Sequence, residues 1–190
     1  MQNKHLLILS SPSGGGKSTV AKFLLEKYPQ FCFSVSATTR SPRPGEIDGT
    51  HYHFLPIERF KELIAANGMA EYEEIFGNFY GTIKSKTDEA IAGGKFLLFD
   101  VDVKGALSLR KAYPETSLLM FLSPPSVEIL EARLRNRGTE TEEQILRRLA
   151  RYKEEVEYAP KFDYHIINDK LDHTLEEVDA IIQQNFNIKR

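Results

Sequence analysis

The stretch from Leu6 to Ser18 constrains this chain more than any other. An apolar run, Leu6-Leu-Ile-Leu9, passes directly into Ser10-Ser-Pro-Ser-Gly-Gly-Gly-Lys-Ser18, and a helical pattern then runs from Lys17 to Tyr28. Continuous apolarity without alternation fits a strand buried on both faces, as in a parallel sheet. Glycines between such a strand and a helix let backbone N–H groups turn inward around a polyphosphate without Cβ clashes. The helix then directs the positive end of its dipole at the anion. Lys17 is placed to bridge the β- and γ-phosphates of a nucleotide, and the Ser18 hydroxyl to hold Mg²⁺. The run departs from G-x-x-x-x-G-K-[ST] only at its first position, where the small residue Ser11 stands. Ser11, Pro12, Ser13, Gly14, Gly15, Gly16, Lys17, Ser18 and Thr19 are therefore the candidate ATP-binding residues. Lys17 is expected to contact only ligand phosphates.

Similar apolar runs recur at Phe96-Leu-Leu-Phe99, Leu118-Leu-Met-Phe-Leu122 and His165-Ile-Ile167. Helical patterns at 85–92, 103–112, 126–137, 141–158 and 175–186 alternate with them. That order predicts an α/β fold with a parallel sheet flanked by helices. The second run ends in Asp100, at the edge where the phosphate loop lies, and there a carboxylate orients Mg²⁺. From Phe33 to Ile83 the rhythm changes to aromatic-rich alternation. Turn residues at Pro44-Gly45, Asp48-Gly49 and Gly77-Asn78 predict a small, mostly antiparallel insert. It contains one helix near 56–67, with Pro56 suited to the first turn.

With 190 residues the chain is long enough for one well-packed domain and short for two. A net charge of −2 excludes the basic footprint of a general nucleic-acid binder. No apolar run approaches the roughly 18 to 20 residues of a membrane span, and the start is too weakly apolar for a signal peptide. A cytoplasmic location is expected, without nucleic-acid or membrane partners; oligomeric state is left open. The single cysteine, Cys32, excludes a disulfide within the chain and is expected to be a small core residue. His51 and His53 share a strand face without a third ligand at suitable spacing, so packing or surface roles are expected.

Anion binding must then come from local arginine clusters. Arg40 and Arg43 bracket Ser41-Pro42, whose ring stiffens the turn. Two planar guanidiniums on a rigid turn suit a phosphate dianion. A second cluster comprises Arg133, Arg135, Arg137, Arg147, Arg148 and Arg151. Val127, Leu130 and Leu134 form the apolar stripe of one helix; Ile145, Leu149, Tyr152 and Val156 form that of the next, which Thr141 and Gln144 open with a capping box. At about 100° per residue, Arg137 lies close to its stripe and Arg148 about 70° from its own, while Arg147 and Arg151 fall on the far side. Arg137 and Arg148 are thus the two best placed to lean into a cleft.

Several stretches together carry a family resemblance. They are Pro12-Ser-Gly-Gly-Gly-Lys-Ser18, Phe33-Ser-Val-Ser-Ala-Thr-Thr-Arg-Ser-Pro-Arg-Pro-Gly-Glu46, Gly77-Asn-Phe-Tyr-Gly81, Asp100-Val-Asp102, Pro124-Pro-Ser126 and Arg137-Gly-Thr-Glu-Thr-Glu142. Over essentially its whole length the chain resembles the guanylate kinases, and the Thr-Thr-Arg-x-Pro-Arg element is highly specific to them. The resemblance implies transfer of phosphoryl from ATP to GMP, and also to dGMP, with Mg²⁺. It implies a core (1–33, 84–125 and 157–190), a GMP-binding insert (34–83) and a mobile lid (126–156). It assigns Tyr52 and Tyr80 to the GMP phosphate beside Arg40 and Arg43. It assigns Glu71 to the guanine N1 and N2 donors, with Ser36 and Thr82 as hydroxyl partners and Asp100 and Asp102 as further GMP-site acids. It points to Lys17, Arg137 and Arg148 as catalytic residues; the other lid arginines are expected at the surface, with Arg133 expected to pack near adenine. Two rivals are weaker. Interaction modules of this fold typically lack an intact phosphate loop, whereas this chain keeps Lys17, Ser18, Asp100, Arg137 and Arg148. A kinase for another monophosphate fits poorly with Glu71 and the Thr-Thr-Arg-Ser-Pro-Arg run.

Overall fold

Residues Leu6–Ser10 form strand β1, and all five are buried. Side-chain parity sends Leu7 and Leu9 into one apolar layer and Leu6 and Ile8 into another. Helix α1 (Lys17–Lys27) follows the glycines. Next come β2 (Phe31–Phe33), β3 (Ala37–Thr38), β4 (His53–Phe54), α2 (Ile57–Ala65), β5 (Met69–Ile75), β6 (Asn78–Ile83) and α3 (Lys84–Ala92). The chain continues through β7 (Phe96–Asp100), α4 (Val103–Ala112), β8 (Ser117–Ser123), α5 (Val127–Arg137), α6 (Glu142–Val156), β9 (Tyr164–Ile167) and α7 (Leu171–Asn185). The structure, a computed structural model, describes residues 4–138 and 140–188, with Arg137 described by its backbone alone.

Five strands form a parallel sheet in the order β2-β7-β1-β8-β9. On one face Leu7 and Leu9 pack with Val20 and Leu24 of α1 and Val178 and Ile182 of α7. On the other, Leu6 and Ile8 pack with Val103, Ala106 and Leu109 of α4. This is the α/β class expected from the alternation of runs and helices. A separate four-stranded sheet, in the order β4-β3-β6-β5, has its own small core around Ala37, Phe60 and Met69. Leu130 and Leu134 of α5 pack with Ile145 of α6 in another small cluster. Among the described residues no helix is long and apolar enough to cross a membrane.

The insert sheet is mostly antiparallel, as expected, with β3 and β4 as the parallel pair. Several local expectations change. Pro56 is the N-cap of α2, with ψ 147°, and not a first-turn residue. Helix α7 begins before Leu175, at Leu171. Cys32 is exposed, not a core residue. β2 is a three-residue edge strand in which only Phe31 is buried, so the apolar flanks of Cys32 do not predict its burial. The capping box of Thr141 and Gln144 occurs as expected, and Gly138 ends α5 as a left-handed C-cap.

Candidate active site

The loop from Ser11 to Gly16 leaves β1 beside the carboxyl end of β7, since Leu9 pairs with Asp100 across the two strands. Gly14 and Gly16 both have positive φ, 92° and 95°, which L side chains rarely adopt. Space is as restrictive as dihedral. A Cβ on Gly14 would lie 2.8 Å from Leu130 of α5, and one on Gly16 2.0 Å from Asn168 Nδ2. Ser11 answers for the missing first glycine by donating its hydroxyl to Pro12 O at 2.8 Å. Asn168, just beyond β9, donates to Gly15 O at 2.8 Å and accepts from Thr174 Oγ1 at 3.0 Å. Arg133 donates to Asn168 O at 2.9 Å, so it braces the same corner.

Lys17 does not project freely. Its Nζ lies 2.5 Å from Asp100 Oδ1 and donates to Val101 O at 3.2 Å. The expectation that it contacts only ligand is corrected: parallel pairing of β1 and β7 brings Asp100 to the same sheet edge. Ser18 and Thr19 occupy the first turn of α1. With Ser11, Pro12, Ser13, Gly14, Gly16 and Lys17 they line a cavity of about 750 Å³. Gly15 is not in that wall; its carbonyl accepts from Asn168.

A second cavity, about 660 Å³, is lined by Ser36, Tyr52, Glu71, Tyr80, Asp100 and Asp102, among others. A bulge between Met69 and Glu71 sets Glu71 opposite Thr82. Thr82, buried behind it, donates to Glu71 Oε1 at 2.7 Å. Burial pushes the Glu71 carboxyl above its usual range, and the charges of Asp102 and Glu73 add to the rise. Asp102 caps α4 by accepting from Gly105 N–H at 2.8 Å.

Arg40 is not among the wall residues, but its guanidinium lies over the ring of one that is, Tyr52, 5.4 Å from the centroid. Glu46 holds it in a fork, with Nη1 and Nη2 donating at 2.9 and 2.8 Å. Hydrogen bonds from Arg40 and from the Arg43 N–H bring the Glu46 carboxyl down to about 2. Arg43 is exposed and outside the wall. His51 Nδ1 accepts from Ile47 N–H at 3.0 Å, a local turn contact.

On α6, Arg148 donates to Ser13 Oγ and pairs with Glu140 at 3.2 Å. The side chain of Arg137 lies outside the described residues. Arg147 lines the larger cavity and does not point away from it, and Arg151 also overturns the helical-wheel expectation. Its Nε donates to Glu155 at 2.7 Å and its Nη2 to Asp102 at 3.3 Å, so it turns into the cleft. Gln144, Arg148, Arg151 and Glu155 fall within about 60° of one another at 100° per residue, beside the apolar stripe and not on it. Measuring only from the stripe placed Arg151 on the wrong side. Glu155 is buried, and burial raises its carboxyl while Arg151 opposes the rise. Asn168, Glu46 and Glu155 were not anticipated. An Asn after a strand or a Glu on a charged helix carries no distinctive signal, although Glu46 lies within the Arg40 motif.

The two cavities share three wall residues: Phe76, Asp102 and Arg151. One side thus offers an anion cradle, and the other a carboxylate pocket with Arg40 over one of its wall tyrosines.

Comparison with known proteins agrees with this geometry. The family model described as guanylate kinase matches residues 3–185. The guanylate kinase of Chlorobium luteolum is 49% identical over 186 residues, covering 98% of this chain and 94% of that protein. That of Chlorobaculum tepidum is 50% identical over 174 residues, covering 92% and 89%. The crystal structure of guanylate kinase from Anaplasma phagocytophilum superposes with a TM-score of 0.70 at 32% identity, covering 97% of this chain and 87% of that one. At these identities and coverages, the chain belongs to the guanylate kinase family.

Proposed function

We propose that the protein transfers the γ-phosphoryl group of ATP to GMP, giving ADP and GDP. The observation that carries this reading is the pair of joined cavities, one walled by the phosphate loop and the other by Glu71 with Thr82 behind it. ATP takes the larger, with its phosphates on the loop N–H groups, Lys17 and the start of α1. Lys17 is pre-positioned by Asp100 and Val101 O. GMP takes the other. Glu71 accepts from guanine N1–H and N2–H₂, with Ser36 and Asp102 beside it; Arg40, Arg43, Tyr52 and Tyr80 hold the phosphate. dGMP belongs to the same reading, because these groups address base and phosphate, not the ribose 2′-hydroxyl.

A GMP phosphate oxygen is already ionised, so no general base is required. Orientation and charge neutralisation account for the rate. Arg148, anchored at Ser13 and Glu140, and Arg137 neutralise the transferring group as it moves in line from ADP to GMP. Ser18 and Asp100 are hard oxygen donors at one sheet edge, a set that suits Mg²⁺, which shares its shell with phosphates and water. When bound, Mg²⁺ neutralises phosphate charge. A cytoplasmic location is part of this reading, since both nucleotides are available there. A coupled assay across GMP, dGMP, AMP, UMP and CMP tests it. Turnover with GMP and dGMP alone is expected; equal turnover with AMP overturns the assignment of Glu71.

A further inference from the structure

Phe76 carries two unfavourable features that the fold does not explain. It is 100% exposed. It also has φ 49°, in a two-residue turn with Gly77 at φ 75° joining β5 to β6. Such a turn favours Asn-Gly or Gly-Gly, and a bulky aromatic at positive φ is an outlier. The hairpin is rooted at its other end, where Ala70 packs in the core layer with α4. Burial runs out along β5 from Met69 and Ala70 to the exposed Glu73, Glu74 and Ile75. The ring is therefore held at the tip of a rooted arm. Its position is specific: with Asp102 and Arg151 it lines both cavities, and across the larger one stand Gln144, Arg147 and Arg148 of α6.

We infer that Phe76 is the seal of the transfer chamber and determines whether GMP or water receives the phosphoryl group. This rests on the kinase reading above. As insert and lid approach over both nucleotides, the ring packs on the arginine-bearing face of α6, where guanidiniums suit an aromatic face. It closes the opening between the cavities. With the seal in place, the bond from the γ-phosphorus to the bridging oxygen of ADP breaks as a bond to a GMP phosphate oxygen forms. Without it, a water oxygen makes that bond, and the products are ADP, inorganic phosphate and a proton. Phe76 is in this sense a positioning residue, since on closure its ring packs on the lid and not on the reacting atoms.

The test uses the full chain with saturating ATP and GMP, measuring GDP and inorganic phosphate formed per ADP. Phe76→Gly removes the ring and suits the backbone, so its melting temperature should equal or exceed that of wild type. The expected result is nearly one GDP per ADP for wild type, and in Phe76→Gly a rise in phosphate release of about tenfold or more at the expense of GDP. Phe76→Tyr should restore coupling. A folded Phe76→Gly with wild-type coupling overturns the inference alone. A wild-type protein that makes no GDP overturns the kinase reading and the inference with it.

Discussion

Replacing Glu71 by Gln changes one atom and should separate recognition from stability. In the structure Thr82 donates to Glu71 Oε1 at 2.7 Å, and Gln keeps that bond through its amide oxygen. The amide nitrogen then replaces Oε2, the oxygen left for guanine. A donor faces the guanine N1–H and N2–H₂, so a charge-assisted bond is lost and a donor goes unpaired. The cost is roughly 2 to 4 kcal/mol. At tenfold per 1.4 kcal/mol, kcat/KM for GMP should fall about 30- to 1000-fold. AMP should be disfavoured less than before, because the acid that rejects it is gone. Stability should move the other way. Burial raises the folded-state pKa of Glu71, so ionising it costs folding free energy as pH rises above the ordinary 4.5. Glu71→Gln should therefore melt higher than wild type at pH 7, with the gain fading as pH falls through the raised folded-state pKa toward 4.5 and absent well below it. Steady-state kinetics with GMP and AMP, and melting curves across pH, check both parts. A GMP efficiency within threefold of wild type would refute the reasoning and turn attention to Asp102.

Lys17→Met should abolish transfer, an effect of several kcal/mol by order of magnitude in a closed site, measured as initial rate; activity within about tenfold of wild type would contradict the phosphate-loop assignment. Glu46→Gln should loosen the fork that orients Arg40 and raise KM for GMP about tenfold with a smaller change in kcat, read from GMP saturation curves. Labels at Pro44 and Glu143, both exposed, should approach when a bisubstrate analogue binds, in a Cys32→Ser background because Cys32 is itself exposed. An unchanged distance would contradict closure.

The parallel core and the phosphate loop were legible because both rest on local pattern: a continuous apolar run, glycines, then Lys-Ser at a helix start. The lost information is of other kinds. Cys32 was misjudged because flanking phenylalanines do not reveal that β2 is an edge strand. Arg151 was misplaced because its face of α6 matters only once the cleft is known to lie beside the apolar stripe. Asn168 braces Gly15 across 153 residues, a contact that no local spacing encodes. The β5–β6 turn was expected at Gly77-Asn78, yet its centre is Phe76-Gly77, because Phe at positive φ contradicts every turn preference. Leu130 of α5 closes directly on Gly14, a contact that the helical stripe alone does not assign.

The central claim is direct transfer between two bound nucleotides. ATP labelled at the γ-phosphorus, mixed with GMP and the purified chain, tests it most directly. The label should appear as the β-phosphate of GDP, one for each ADP formed, with none on the protein. Label in inorganic phosphate alone, or retained on the protein between the two steps, would contradict the account.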